Sequence, residues 1–303
     1  MTSHRSHTSA QPGTGLVTSG LGERFETHRP RLTSIAYRML GSVGEAEDAV
    51  QEAWLRLSRA DVSTIRDLEG WLITAVARVC IDHLRSRRAR AQEANRLPDP
   101  IVGRDDPIDP EAAALLSEAL GLAFMVVLDR LTPAERIAFV LHDALGLPFD
   151  EIAAILGKTT PATRQLASRA RRRIRGAPLP SGGIEEQRDT VTAFLTAARA
   201  GNFGRLVEIL DPDVVVRADL GPHGRSREVR GAKAVASEVL AYAQFTRYAR
   251  PATINGTPGI VGTRDGRPSA VMAFTVTDRH ITEIDIIADP ERLTQVDLGG
   301  LDA

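Results

Sequence analysis

Apolar residues recur at two different spacings along this chain of 303 residues. In Glu45–Leu57 they fall at Ala46, Ala49, Val50, Ala53, Trp54 and Leu57, one stripe of an amphipathic helix with charge on the opposite side. Gly70–Arg90 repeats the pattern through Leu72, Ala75, Val76, Val79 and His83 and ends in a run of arginines. A second helical block runs from Glu111 to Arg175. Within it Thr132 is the expected cap, Pro133 the first helical residue and Glu135 the side chain that reaches back. Past a Pro/Gly break at 176–183 the texture becomes mixed. Ile184–Ala200 and Ala232–Phe245 read as helices. Val214–Val216, Ala270–Val276 and Ile281–Ile287 read as strands, the last two joined by a turn at Thr277–His280.

The segment Phe149–Arg175 carries the sharpest chemistry. Ile152, Ala153, Ile155 and Leu156 form the apolar side of a short helix, and Gly157 suits its left-handed end. Thr160 and Pro161 then read as the cap and first residue of a second helix. Leu166 and Ala170 face the core, while Arg164, Gln165, Ser168, Arg169 and Arg172 point outward. Six arginines and no acid lie between Arg164 and Arg175. Arg and Gln pair bidentately with base edges, so this is a helix-turn-helix pattern with a DNA-reading face. A solvated basic helix end is the plainer alternative, and Thr163 stands where such motifs usually carry Val or Ile.

The net charge of −1 conceals this polarity. Basic residues concentrate at Arg78–Arg90 and Arg164–Arg175, and acids lie between them and in the C-terminal third, which leaves two candidate phosphate-binding faces. The single cysteine, Cys80, sits in an apolar helix and reads as a core residue. No apolar run approaches the roughly 20 residues of a membrane helix, and no metal-ligand cluster is evident. The expected organisation is a disordered tail at 1–20, a helical domain at 21–90 and an acidic linker with three Asp-Pro pairs at 91–110. A helix-turn-helix domain at 111–176, a linker at 177–183, an α+β domain at 184–293 and a tail at 294–303 follow. A cytoplasmic monomer without cofactor or metal is expected.

Residues of about 25–175 resemble a bacterial sigma factor of the extracytoplasmic-function group. EAEDAVQEAWLRL is similar to region 2.2, GWLITAVARVCIDHLRSRRAR to regions 2.3 and 2.4, and LTPAERIAFVLHDALGLPFDEIAAILGKTTPATRQLASRARRRIR to region 4. The remainder resembles a SnoaL-like cone domain, which a subgroup of these factors carries. Leu97-Pro98-Asp99-Pro100 is close to that subgroup's linker motif, with Arg96 standing where an aromatic is usual. Asp289-Pro290-Glu291-Arg292-Leu293 is similar to its C-terminal motif. The subgroup's acidic-glycine loop has only a diverged, longer counterpart at Asp219–Arg225.

The resemblance implies a multidomain fold: two all-α sigma domains followed by an α+β cone. It implies a factor that binds core RNA polymerase through its β and β′ subunits and directs initiation at promoter DNA. Arg164, Gln165, Ser168, Arg169 and Arg172 would read the −35 element. Trp71, Arg78, Arg85, Arg87 and Arg88 would act at the −10 element, although Trp71 is equally suited to be a core anchor. Asp48, Gln51, Glu52, Trp54 and Arg56 would dock on polymerase; without the resemblance they read as a solvated helix face with one buried Trp. Leu97–Pro100 and Asp289–Leu293 would be regulatory, touching one another or the sigma domains. The rival reading is a DNA-binding protein fused to a catalytic or ligand-sensing cone. Asp219, His223, Tyr242 and Asp285 are that cone's candidate polar groups, and a small ligand is a candidate partner.

Overall fold

The structure, a computed structural model, describes residues 14–89, 97–103, 121–177, 180–221, 227–264 and 267–296; the side chains of 14–20, 88, 89, 123 and 243–245 also lie outside the description. The first domain packs helices α1 (Thr14–Leu40), α2 (Val43–Leu57) and α3 (Leu68–Ala89). Helix α1 starts upstream of the boundary expected at residue 21. The α1–α2 corner turns at Gly41, whose φ is +72°, and Ser42 caps α2. Arg87 ties α3 to this corner, donating to the Leu40 carbonyl at 3.0 Å and pairing with Glu45. Cys80 is buried in this core, and burial pushes its thiol up to about 12.

The next helices are α4 (Leu122–Asp129), α5 (Pro133–Phe139), α6 (Phe149–Leu156) and α7 (Thr160–Arg175), with a π-helical turn at Val140–Ala144 after α5. Thr132 and Glu135 form a reciprocal capping box at the start of α5. These helices do not make a separate core. One continuous cluster of buried residues runs from Phe25 and Leu40 of α1 through Val76 of α3 to Ile137, Leu156 and Ile174. Arg136, only 2% exposed, closes the junction. Its Nε donates to the Arg38 carbonyl at 2.9 Å and its Nη1 pairs with Asp129.

The C-terminal part comprises α8 (Ile184–Arg199), α9 (Phe203–Ile209), β2 (Leu210–Asp219), β3 (Arg227–Arg230) and α10 (Ala232–Ala241). After them come β4 (Ala249–Ile254), β5 (Thr257–Arg264), β6 (Arg267–Thr277), β7 (His280–Ile287) and α11 (Pro290–Leu293). With β1 (Val102–Gly103) the strands form one seven-stranded sheet in the order β1-β4-β5-β6-β7-β2-β3. All neighbours are antiparallel except β2 and β7. Strand β1 belongs to the linker, so a segment expected only to be extended adds an edge strand to the C-terminal sheet, with Val102 opposite Ile254. The β6–β7 hairpin turns at Asp278 and Arg279, both at positive φ, as short hairpins require.

The two sheet faces pack against different things. Helices α8, α9 and α10 cover one, with Phe194, Phe274, Ile260 and Ile284 in its core. The other receives Leu122 and Val126 of α4 together with Leu97 and Leu293. The opposite side of α4, through Phe124, Met125, Val127 and Leu128, is sealed into the helical-domain core. A helix whose first seven residues are all apolar, before it ends at Asp129, is thus buried on both sides.

Sequence alternation leaves the direction of Asp285 open. The sheet places it opposite Ala273, on the face that α4 covers and away from the cone helices. Its only charged hydrogen-bond partner among the described residues is Arg217, which donates to Asp285 at 3.1 Å and to Glu283 at 2.6 Å. Burial raises the Asp285 carboxyl to about 6, against the opposing pull of Arg217 and the weaker one of Arg130 just after α4. Because the folded value lies above the ordinary one, the group favours the folded state at low pH, and this contribution is lost as pH rises through about 6. Asp285→Asn is therefore expected to gain stability relative to the parent between pH 4 and 7. The relative gain is on the order of 2 kcal/mol, read from paired denaturation curves across that range; a pH-independent difference between the two proteins would refute the assignment.

Candidate nucleic-acid interface

Helices α6 and α7 form the turn on which the basic face is built. Gly157 ends α6 in the left-handed conformation, with φ of +63°. The cap of α7 is Thr159, one residue earlier than the sequence suggests; its hydroxyl accepts from the Ala162 amide, and Thr160 is already helical. The shift costs nothing chemically, because both residues are threonines and Pro161 still falls in the first turn. Thr163 is fully buried, but its hydroxyl donates to the Thr159 carbonyl at 3.1 Å. That internal bond lets a polar residue occupy a site where Val or Ile is usual.

Ala167, Ala170 and Ile174 bury the inner side of α7. Arg164, Gln165, Ser168, Arg169 and Arg172 are exposed together on the outer side. The remaining arginines divide by role. Arg171 pairs with Asp143 at 2.6 Å and Arg173 with Glu135 at 2.6 Å, bracing the helix to the turn and cap behind it. The outer face therefore keeps its positive charge, while Arg171 and Arg173 at its flanks attach the helix.

On α3, Arg78 and Arg85 are exposed, two turns apart. Trp71 is half-buried and packs on the helical core. Arg87 is committed to Leu40 and Glu45, as described above. The side chain of Arg88 lies outside the described residues, as do Arg90 and Arg96. On α2, Asp48 and Gln51 are exposed, and Glu52 pairs with Arg56 at 2.5 Å. Trp54 leans on Phe25, with ring centroids 4.9 Å apart. Beside these, Leu55 is 44% exposed. The pattern already singles it out, as a leucine off the apolar stripe, but sequence reasoning passed it over.

The linker and C-terminal motifs meet at Arg292. Asp289 caps α11, and Pro290 and Glu291 occupy its first turn. Leu293 is buried beside Leu97. The Arg292 guanidinium donates to Asp99 at 2.9 Å, to Asp219 at 2.6 Å and to the Leu97 carbonyl at 2.7 Å. Asp219 also accepts from the Leu97 amide at 3.1 Å. The other side of Asp99 belongs to the first domain: its carboxylate accepts from the Val43 amide, its amide donates to the Gly41 carbonyl and its carbonyl accepts from the Tyr37 hydroxyl. Asn255, at the β4–β5 turn, donates to that hydroxyl at 2.7 Å. Pro98 and Pro100 are buried within this contact. Asp219 is thus part of the node even though the loop that follows it diverges. His223 lies outside the described residues, and Tyr242 is 54% exposed.

No group of three or more metal-ligating side chains and no helix able to cross a membrane occurs among the described residues. Residues 24–90 match the family model for Sigma-70 region 2, and residues 121–174 match that for Sigma-70 region 4. The chain is 39% identical to the ECF RNA polymerase sigma factor SigJ of Mycobacterium tuberculosis, over 89% of this chain and 92% of that protein. It is 35% identical to a probable ECF sigma factor SigI of the same organism, over 91% and 96% of the two chains. The crystal structure of SigJ superposes with a TM-score of 0.74, at 34% identity, covering 91% of this chain and 99% of that one. Two helical regions in order, followed by an α+β domain shared along the full length, place the chain in the family of extracytoplasmic-function RNA polymerase sigma factors.

Proposed function

We propose that this sigma factor directs core RNA polymerase to promoters through the surfaces described above, and that its C-terminal domain restrains it in the free state. In this reading the outer face of α7 reads the −35 element in the major groove. Arg78 and Arg85 follow phosphates near the −10 element, and Trp71, anchored on the core by one edge, borders the unpaired bases. Asp48, Gln51, Glu52 and Arg56, with Leu55 at their centre and Trp54 beneath, dock on the β′ subunit; region 4 lies against β.

The observation that carries the restraint is the shared core. The −10 and −35 elements lie about 25 base pairs apart, roughly 85 Å along B-DNA. A compact unit of roughly 150 residues is only about 40 Å across. Both elements are engaged only when the helical domains separate. The C-terminal domain opposes separation at two places, by covering one side of α4 and by holding the linker through Arg292. The cone interior supports regulation over catalysis. Its core is apolar, and the buried acids Glu283 and Asp285 face the sigma domains instead.

Arg292→Ala leaves the buried Asp219 and the half-buried Asp99 without their cation, so tail–linker docking is expected to weaken by about 3–5 kcal/mol. Hydrogen exchange at the amides of Leu97–Ile101 should accelerate, and run-off transcription with core polymerase should rise several-fold over the parent. Reduced output with exchange accelerated would mean that the clamp serves the active form. Arg169→Ala is expected to weaken holoenzyme binding to a −35-containing duplex by about 1–3 kcal/mol, measured by titration at fixed salt. Unchanged binding would remove Arg169 from the interface.

A further inference from the structure

Arg164 is the first arginine of the outer face, and it does not stand alone. Its guanidinium carbon lies 5.7 Å from the centroid of the Phe149 ring. The other neighbour of that ring is His142, stacked with centroids 3.8 Å apart and planes 28° from parallel. The three side chains come from three elements: the π-helical turn, the first residue of α6 and the start of the second turn of α7.

Each layer is fixed by something outside the stack. The imidazole Nδ1 lies 2.9 Å from the Leu147 carbonyl. A carbonyl only accepts, so Nδ1 carries the proton and the ring plane is set. Phe149 is half-buried and packs on the helical core. The π-helical turn carries both His142 and Asp143. Asp143 pairs with Arg171, two turns along α7 from Arg164. The back of α7 is therefore braced at Arg171, and its leading end is met by an aromatic surface.

An exposed arginine samples many rotamers and loses that freedom when it binds a base. An aromatic face near the guanidinium narrows the choice beforehand and leaves the guanidinium edge free for two parallel hydrogen bonds. We infer that Phe149, held by His142, is a positioning residue for base readout: it presents the Arg164 guanidinium edge-on to a guanine of the −35 element. The inference rests on the proposed role of the α7 face.

The test is competition binding of holoenzyme to a set of duplexes in which each −35 base pair is changed in turn. It compares the parent with Arg164→Ala, Phe149→Leu, Phe149→Trp and the Arg164→Ala/Phe149→Leu pair. Leucine keeps apolar volume and removes the ring; tryptophan keeps a ring with a stronger cation attraction. Phe149→Leu is expected to lose roughly two- to fivefold in discrimination at the one position where Arg164→Ala loses it, with other positions unchanged. Phe149→Trp should retain the parental preference, and the double variant should match Arg164→Ala alone. A uniform loss at every position, or losses that add in the double variant, would make Phe149 a packing residue only and overturn the inference. If Arg164→Ala changes no base preference, the role of Arg164 falls and the inference falls with it; if only Phe149→Leu is silent, the inference falls and Arg164 stands.

Discussion

Up to its last residue, Asp129, helix α4 has no side that belongs in water, and most of the architecture follows from that. A short helix apolar all round is stable only when something covers both its faces. The helical domains supply one cover and the sheet of the C-terminal domain supplies the other. Removing the sheet would expose Leu122 and Val126, and removing the helical core would expose Phe124 and Leu128. Neither neighbour can leave without uncovering apolar surface at about 25 cal/mol per Å². The C-terminal domain is for this reason part of how region 4 is packed.

Polar contacts convert that general attraction into a defined register. Arg292 satisfies two carboxylates and a carbonyl from two separate parts of the chain, the linker and the end of β2, and Asp99 is bonded on its other side to the first domain. Buried charge tolerates little misplacement, because a missed partner leaves an ion in a low-dielectric site. The apolar faces of α4 would permit sliding; the Arg292 node does not. Arg136 has the same role at the junction of the helical domains, where the Arg38 carbonyl and Asp129 fix how α5 meets α1.

Much of this was legible in the sequence, and the gaps have physical causes. The stripes of α2, α3 and α7 were visible because one face of each is solvated and the periodicity survives. The π-helical turn was invisible, since a single inserted residue barely disturbs a pattern read over ten or more. Strands β4 and β5 were missed although Asn255-Gly256 marks a tight hairpin turn; Ala, Gly and Pro dilute the alternation on both sides of it. The cap of α7 fell one residue off because two adjacent threonines fit the same signal. The outward face of α7 was readable from spacing, but the internal commitment of Arg171, Arg173 and Arg87 was not, since their partners lie far away in the chain. Arg292 could be marked as part of a motif, while its three partners required the fold.

Strand β1 gives the restraint an exposed cost that the side chains do not. While the linker lies along β4, Val102 and Gly103 cover the Thr253–Ile254 end of that strand's outer edge. In the proposed opening the linker departs, and that end of β4 loses its partners and becomes a template for an extended chain. The proposed opening therefore bares a short strand edge together with the α7 face proposed to read DNA. An uncovered edge is best tolerated when a partner lies against it, so the proposed opening would be favoured on a partner surface over free solution.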